Sequence, residues 1–171
     1  MIKSKCLLYF MFLFIIFNIT SCSQNKKVTS INSIANVSDP LIYLKSKGYD
    51  ILTDVKKLES RKITKDDFKG INSIIWGAQT FTPEQINGKM VDYYYADVKD
   101  HPLLNNQDIE GESVRVTIMK NDNKIIGGYS SINYKEIRFG ANIYSIDGKT
   151  LEEFTGQDFQ TWREEWERKY N

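Results

Sequence analysis

Histidine, cysteine and proline are scarce in this sequence. Its 171 residues include one histidine, His101, two cysteines, Cys6 and Cys22, and three prolines. Zinc sites in proteins usually take two or more histidine or cysteine ligands, so this composition excludes most of them. A single histidine also leaves only one candidate base for a serine or cysteine nucleophile.

Neither sign of charge dominates the chain. It carries 23 lysine and arginine residues against 22 acidic residues, and no sizeable block of either sign occurs. Proteins that bind nucleic acid usually concentrate basic residues on one face or in one stretch. We therefore expect no nucleic-acid partner and no polybasic membrane patch.

The motifs that hold common cofactors are also missing. The sequence has no Gly-x-Gly-x-x-Gly and no phosphate-binding loop. A calcium-binding loop needs oxygen ligands at alternate positions, whereas Asn121-Asp122-Asn123 is too short and is followed by Lys124. We expect no cofactor and no metal site.

The longest apolar run lies near the N-terminus. Residues Cys6–Phe17 are all apolar and follow two lysines, Lys3 and Lys5. The run has 12 residues. A helix needs about 20 residues to span a bilayer, so a transmembrane helix is disfavoured. A basic start followed by a short apolar run is typical of a signal peptide.

The segment after the apolar run, Ile19-Thr20-Ser21-Cys22, resembles the lipobox of bacterial prolipoproteins. In that motif the cysteine becomes the new N-terminus and its thiolate takes a diacylglyceryl group. We predict a lipoprotein signal peptide over residues 1–21, lipidation of Cys22 and a flexible tether over residues 22–38. The domain would then lie at the extracytoplasmic face of the cell membrane, without a second cysteine for a disulfide. The alternative is an ordinary secretory signal that leaves Cys22 as a free thiol.

Residues 39–171 show the periodicities of a mixed helix and sheet domain. We predict one α+β domain: an antiparallel sheet of four to five strands with helices packed on one face, plus a C-terminal helix. Capping residues followed by helical spacing indicate the helices, and alternation of apolar and polar residues indicates the strands. The predicted elements are a helix over 41–47, a strand over 49–55, a helix from Thr64 to about Gln79, strands over 89–98, 113–119, 125–132 and 134–144, and a helix over 151–170.

Two of these strands carry further signals. Those over 113–119 and 125–132 are predicted to form a hairpin around Asn121-Asp122-Asn123. The second of them contains Gly127 and Gly128. Glycine inside a strand indicates a bulge or a close approach by another backbone.

Aromatic side chains supply the candidate binding residues. Phe159, Trp162, Trp166 and Tyr170 lie at i, i+3, i+7 and i+11, so they form one stripe on the predicted C-terminal helix. Tyr94 lies on the opposite face of its strand from both of its neighbours. We favour a core position for all of them, between helix and sheet. If they are exposed instead, Tyr94, Trp162 and Trp166 are the residues expected to bind a partner or the membrane interface.

His101 lies in a polar loop, close in sequence to Asp97 and Asp100. A histidine beside carboxylates can serve in acid–base catalysis or in metal binding. We favour a solvated loop over such a site.

Three stretches of the chain resemble a family of small lipoproteins from Gram-positive spore-forming bacteria and their relatives. They are Tyr43–Tyr49, Gly88–Val91 and Val114–Gly128. The likeness covers roughly residues 40–132 and rests on strand and turn patterns, most clearly on Lys124-Ile125-Ile126-Gly127-Gly128. It implies a cell-surface lipoprotein with an α+β domain. It implies no activity, and no functional residue besides Cys22.

Catalytic signatures are missing, while a tether, a sheet and aromatic residues are present. We therefore predict a non-enzymatic binding module of the cell envelope, whose partner is a protein, a peptide or a wall polymer. One alternative is an envelope hydrolase that uses a carboxylate pair, which would require acids with a raised pKa in a cleft. A second alternative is a structural or stress-related surface protein.

The predicted anchor can be tested directly. A Cys22→Ala chain lacks the thiol that takes the lipid, so the protein should move from the detergent phase to the aqueous phase on phase partitioning. Ser21→Ala is the matched control, because it keeps both Cys22 and a small residue before it, and it should stay in the detergent phase. An unchanged distribution of the Cys22→Ala protein would contradict lipidation.

Overall fold

The computed structural model of the chain describes residues 38–105, 111–134 and 142–170. All three ranges belong to one compact unit. The predicted signal peptide, Cys22 and most of the tether lie outside the described residues, as does most of the strand predicted over 134–144. Within the described ranges, no helix is both long enough and apolar enough to cross a membrane.

A six-stranded antiparallel sheet and four α-helices make up most of the regular structure of the described residues. The strands are β1 (Asp50–Ile51), β2 (Lys56–Lys62), β3 (Met90–Lys99), β4 (Gly111–Asn121), β5 (Lys124–Tyr134) and β6 (Tyr144–Ser145). The α-helices are α1 (Pro40–Ser46), α2 (Asn72–Gly77), α3 (Leu151–Thr155) and α4 (Phe159–Tyr170). Short 3₁₀ helices cover Lys65–Phe68, Pro83–Gln85 and Pro102–Asn105. The α+β class, the antiparallel sheet and the C-terminal helix are thus confirmed.

The sheet has more strands than the four to five expected, because the pattern of β2 does not predict a strand. The order is β1–β3–β4–β5–β6, and β2 pairs with β3 on the same side as β1. The sequence of β2, Lys-Lys-Leu-Glu-Ser-Arg-Lys, holds one apolar residue, and six of its seven side chains are exposed. Alternation reveals a strand only where one face is buried, and β2 has no buried face.

The hairpin formed by β4 and β5 is confirmed. Its turn consists of Asp122 and Asn123, whose φ angles are 47° and 61°. Positive φ at both central residues is typical of the type I′ turn, whose twist matches that of the flanking strands. Asp and Asn tolerate this conformation better than other residues that have a β-carbon.

Both faces of the central strands β3 and β4 are buried, since side chains alternate between the two faces and each face carries its own apolar cluster. The α1 face contains Leu44 of α1 with Ala96, Val98, Val114, Val116 and Ile118. The α2 face contains Phe68, Trp76, Val91, Tyr93 and Met119. Helices therefore cover both faces of the sheet, where the sequence led us to expect them on one. The reason is that β3 carries apolar residues at odd and at even positions.

Two predicted helices are each divided in two at a glycine. The helix predicted from Thr64 to about Gln79 consists of a 3₁₀ helix and α2, with Gly70 between them at a φ of 59°. The helix predicted over 151–170 consists of α3 and α4, with Gly156 between them at a φ of 74°. A residue in the left-handed region ends a right-handed helix, and glycine adopts that region without a β-carbon clash.

The side-chain amide of Gln79, just after α2, joins this helix to the sheet. Its Nε2 donates to the Gly128 carbonyl at 3.0 Å, and its Oε1 accepts the Gly128 backbone N–H at 3.1 Å. A β-carbon at Gly127 would collide with Gln79 Oε1, and one at Gly128 would collide with the carbonyl oxygen of Thr117. The close approach by another backbone is therefore confirmed at Gly128, whereas at Gly127 the approaching group is the side chain of Gln79.

Replacing Gln79 with methionine tests this connection. Methionine fills a similar volume but leaves the N–H and C=O of Gly128 without the amide, at a cost of about 1–3 kcal/mol for each buried group. We expect the free energy of unfolding, measured on the full chain by urea titration with tryptophan fluorescence, to fall by about 3 kcal/mol. Gln160→Met, at an exposed position of α4, is the control and should change it by less than about 0.5 kcal/mol. Equal effects of the two substitutions would contradict the role of Gln79.

Candidate binding groove

The aromatic stripe of α4 faces α2 and the 3₁₀ helix Lys65–Phe68, which precedes α2 in the chain. Neighbouring rings of the stripe contact one another. Their centroids lie 6.0 Å apart for Phe159 and Trp162, 5.1 Å for Trp162 and Trp166, and 4.5 Å for Trp166 and Tyr170. Residues three or four positions apart lie on the same side of a helix, which is why the sequence predicts the stripe. Its members differ in what else they contact.

Trp162 belongs to the core. Its side chain is 6% exposed and packs with Ala78 and Leu151. Gly77 allows α4 to come close to α2, because a β-carbon at this position would overlap the indole ring of Trp162. Trp162 therefore lies in the core, as the sequence favoured.

Trp166 and Tyr170 continue the contact along α4. The indole Nε1 of Trp166 donates to the Phe68 carbonyl at 2.7 Å, so this half-buried N–H has a partner. The ring of Tyr170 lies 5.7 Å from that of Phe68, and its hydroxyl donates to Glu84 at 3.0 Å. The stripe thus holds α4 against the 3₁₀ helices as well as against α2.

The carboxylate of Glu84 is held by several donors. These donors lower the pKa of Glu84 to about 2. The largest effect comes from its own backbone N–H, followed by Lys169 at 3.0 Å and the Tyr170 hydroxyl. Hydrogen bonds from neighbouring hydroxyl groups also lower the pKa of Asp92 and of Asp158. A general acid near neutral pH needs a raised pKa, and these three carboxyl groups do not supply one.

A groove opens between α2 and α4 beside the stripe. It has a volume of about 250 Å³ and is lined by Lys69, Gly70, Ile71, Ser73, Ile74, Phe159, Trp162, Arg163, Trp166 and Glu167. Two apolar side chains at its rim are exposed to solvent, Ile71 to 73% and Phe159 to 38%. The tryptophans provide an apolar floor. This arrangement can hold an apolar side chain of another molecule.

Charged side chains flank the apolar part of the groove and are paired with one another or with neighbours. Arg163 and Glu167 form an ion pair of 2.8 Å along α4. Lys69, on the α2 side, is paired with Asp66 at 3.0 Å. Exposed ion pairs of this kind contribute little stability, so they are available to a partner's polar groups at small cost.

Two groove residues are placed wrongly by the sequence: Phe159, favoured for the core, is exposed, and so is Ile71. Helical spacing with Phe68 and Ile75 predicts Ile71 on the buried side of one continuous helix. Gly70 interrupts that helix, so the spacing across it no longer applies and Ile71 is exposed. The signal that could have shown this is Gly70 itself, because an isolated glycine within a helical pattern weakens the prediction of a continuous helix.

Tyr94 lies on the other face of the sheet, the α1 face. It is half-buried against the α1-face cluster. The ammonium groups of Lys57 and Lys120 lie 5.9 Å and 5.4 Å from its ring centroid, within the range of cation–π attraction. The structure therefore brings Trp162 and Trp166 together and places Tyr94 apart from them.

His101 is buried, so the expectation of a solvated loop is wrong. Its side chain is 0% exposed, and its ring centroid lies 4.8 Å from that of Tyr49. The Leu103 N–H donates to Nδ1 at 3.2 Å, which leaves the proton on Nε2, and Nε2 donates to the Ile146 carbonyl at 3.1 Å. The 3₁₀ helix that follows His101 turns the chain back and buries both His101 and Leu103.

Asp97, one of the two carboxylates close to His101 in sequence, is bound to Arg115 instead. Asp97 accepts two hydrogen bonds from the Arg115 guanidinium, at 2.9 Å and 3.1 Å. Burial alone would raise the pKa of Asp97, but Arg115 and its other partners lower the pKa below the usual value. Across the ranges that the structure describes, no group of three or more His, Cys, Asp or Glu side chains is placed to hold a metal ion.

The chain was also compared with known proteins. Comparisons with protein-family models, with curated proteins and with solved structures found no match. Conclusions about function therefore rest on the residues and distances given above. The resemblance to small lipoproteins of spore-forming bacteria stays a prediction from the sequence.

His101 makes the stability of the fold depend on pH. Burial lowers the pKa of its imidazole, and this effect outweighs the Ile146 carbonyl, which raises the pKa. Between the ordinary pKa of about 6.5 and the lowered value, the unfolded chain takes up a proton that the folded chain does not. The free energy of unfolding therefore falls as the pH drops below about 6.5, by at most about 1.4 kcal/mol per pH unit.

A His101→Asn substitution tests this dependence. Asparagine offers an acceptor for the Leu103 N–H but does not titrate. We expect the unmodified chain to lose unfolding free energy between about pH 7 and about pH 5, by urea titration. The variant should be less stable at neutral pH but should show a smaller loss, because His101 is the only histidine. The same pH dependence in both chains would contradict the assignment.

Proposed function

We propose that the chain is a bacterial surface lipoprotein, anchored in the cell membrane through Cys22, whose domain binds an envelope protein or peptide without catalysing a reaction. The groove between α2 and α4 is the observation that carries this proposal. It presents Ile71 and Phe159 to solvent above tryptophans that are packed in the protein. Exposed apolar side chains above rigidly packed ones suit a site of contact with another protein. The exposed side chains themselves add little to the stability of the fold.

The floor of the groove is already formed in the free protein. Trp162 is packed against α2 at Gly77, and Trp166 is hydrogen-bonded to the Phe68 carbonyl. Side chains that are already ordered lose little freedom when a partner binds, which favours affinity. Tryptophan is also one of the residues that contribute most to binding at protein interfaces.

The size of the groove favours a side chain over a large ligand. Its volume of about 250 Å³ lies below the roughly 300–1,000 Å³ that is usual for small-molecule sites. Covering an exposed isoleucine contributes up to about 2 kcal/mol. We infer that the partner inserts one or two apolar side chains, as an amphipathic helix does. A wall polymer fits less well, because sugars need polar partners and the charged side chains that flank the groove are already paired.

The proposed anchor limits where the partner lies. If the predicted tether over residues 22–38 behaves as a random coil, its reach is about 20–24 Å. The groove would then stay close to the membrane surface, and its partner would be a membrane protein or another anchored protein. This step depends on the predicted lipidation of Cys22.

The hydrolase alternative has no supporting observation among the described residues. A carboxylate pair that cleaves a substrate needs one acid whose pKa is raised. The carboxyl groups of Glu84, Asp92, Asp97 and Asp158 all have a lowered pKa. Their donors are backbone N–H groups, hydroxyl groups and cations of neighbouring residues, so these carboxylates are explained as parts of the fold.

Site-specific photocrosslinking on intact cells tests the proposed contact site. A photoreactive amino acid in place of Ile71 should give a reproducible crosslink to one envelope protein, identified by mass spectrometry. Ile42 is the matched control position, because it is an isoleucine exposed to 56% that lies on α1, on the other side of the sheet. The crosslink from position 71 should be lost with Phe159→Asp, since a charge at the rim opposes insertion of an apolar side chain.

The controls separate loss of binding from loss of structure. Phe159 is already 38% exposed, so Phe159→Asp should leave the urea midpoint of the chain close to that of the unmodified protein. A crosslink to the same protein from position 42 would contradict the groove as the contact site. A crosslink from position 71 that persists in a folded Phe159→Asp chain would contradict it too.

A further inference from the structure

Strand β2 forms an open edge of the sheet. It pairs with β3 and, in the part of the chain that the structure describes, with no other strand. Six of its seven side chains are exposed. The register shifts between Lys57 and Glu59, which marks a bulge at Leu58, and Leu58 is 56% exposed. An edge strand offers its outward backbone groups to the strand of another chain.

The backbone groups of Ser60 and Lys62 point to the open side of β2. Ile63, the next residue, donates its N–H to the Lys89 carbonyl at 2.9 Å and accepts the Gly88 N–H at 2.8 Å. The backbone of Ile63 therefore points inward, toward the β3 side. Because this direction alternates along an antiparallel strand, Lys62 and Ser60 direct their N–H and C=O groups outward.

The open edge is basic. Four of its seven residues are lysine or arginine and one is acidic. Lys57 and Arg61 are paired with neighbouring aspartates at 2.9 Å and 3.3 Å. Lys56 and Lys62 form no ion pair with another described residue. Their ammonium groups lie at the two ends of the strand and are available to carboxylates of a partner.

A second copy of β2 does not fit this edge. An antiparallel copy centred on Glu59 would place Lys57 opposite Arg61 and Lys56 opposite Lys62. A parallel copy in register would place each charge opposite itself. Like charges directly opposite each other destabilise a strand pair. The same charges favour a strand of the opposite sign.

We propose that the outer edge of β2 binds an extended acidic segment of a partner protein, which adds a strand to the sheet. Hydrogen bonds to the backbone of Ser60 and Lys62 align the segment. Acidic residues near both of its ends pair with Lys56 and Lys62, and Leu58 gives an apolar contact between them. This recognition joins backbone pairing, which gives affinity, to charge, which gives selectivity. It uses residues outside the groove, so it stands independently of the proposed function.

Two peptides of equal charge test the proposal. The probe is the capped peptide Glu-Glu-Val-Thr-Val-Glu-Glu, labelled with a fluorophore and titrated with the full chain in detergent micelles. The control is the same peptide methylated at every backbone nitrogen, which keeps the carboxylates and loses the hydrogen-bond donors. We expect the probe to bind at least about tenfold more tightly than the control by fluorescence anisotropy, because strand addition depends on backbone hydrogen bonds.

Hydrogen exchange locates the bound peptide. Amide exchange measured by mass spectrometry should slow over residues 56–62 when the probe is added, because the outward N–H groups gain acceptors. Absence of probe binding, equal binding of the methylated peptide, or binding without slower exchange over residues 56–62 would each overturn the added strand.

A charge-matched pair of variants tests the selectivity. Lys56→Glu/Lys62→Glu should weaken probe binding by about tenfold or more, since it replaces attraction by repulsion. Lys124→Glu/Lys149→Glu makes the same change in net charge at two exposed lysines outside β2 and should change binding by less than about twofold. Equal weakening by both pairs would overturn recognition at the edge, because net charge alone would then explain it.

Discussion

This structure depends on one constraint: both faces of β3 and β4 are apolar and must be covered. Ala96 and Val98 face one side, Val91 and Tyr93 face the other, and all four are buried. A sheet that is apolar on both faces needs a layer on each. Helix α1 provides one layer, and α2 with α4 provides the other. The layers come from different parts of the chain, because α1 precedes the sheet, α2 lies between β2 and β3, and α4 follows β6.

The two layers are built differently. The α1 face is closed by α1 and the 3₁₀ helix Pro102–Asn105 over a buried cluster that is mostly aliphatic. The α2 face is closed by short helical segments rich in aromatic residues, joined to the sheet through Gln79. Aromatic rings carry a large apolar surface each, so a few of them both close the core and extend beyond it. The groove is the part of the stripe that the core leaves uncovered, and one helix therefore contributes both to the core and to the groove.

Local patterns predicted those parts of the fold whose signals lie within one element. Alternation of Val114, Val116 and Ile118 is sufficient to predict β4, and helical spacing is sufficient to predict the stripe on α4. Features that depend on distant residues could not be predicted. His101 can be buried because the carbonyl of Ile146, 45 residues away, accepts the hydrogen bond from its Nε2–H, and Gln79 meets a partner 49 residues away. For the groove, the sequence showed Trp162 and Trp166 but could not show that Ile71 would lie beside them.

The left-handed backbone at Gly70 places an evolutionary restriction on the groove. A β-carbon at this position would meet nothing within 4 Å, so space does not restrict the residue. The φ of 59° restricts the residue, because this conformation costs about 1–2 kcal/mol for residues that have a β-carbon. Asparagine tolerates it best, yet a glycine codon differs from an asparagine codon at two bases. Apart from aspartate, single-base changes therefore lead to residues that strain the turn exposing Ile71, so the backbone at a residue without a side chain restricts how the groove can change.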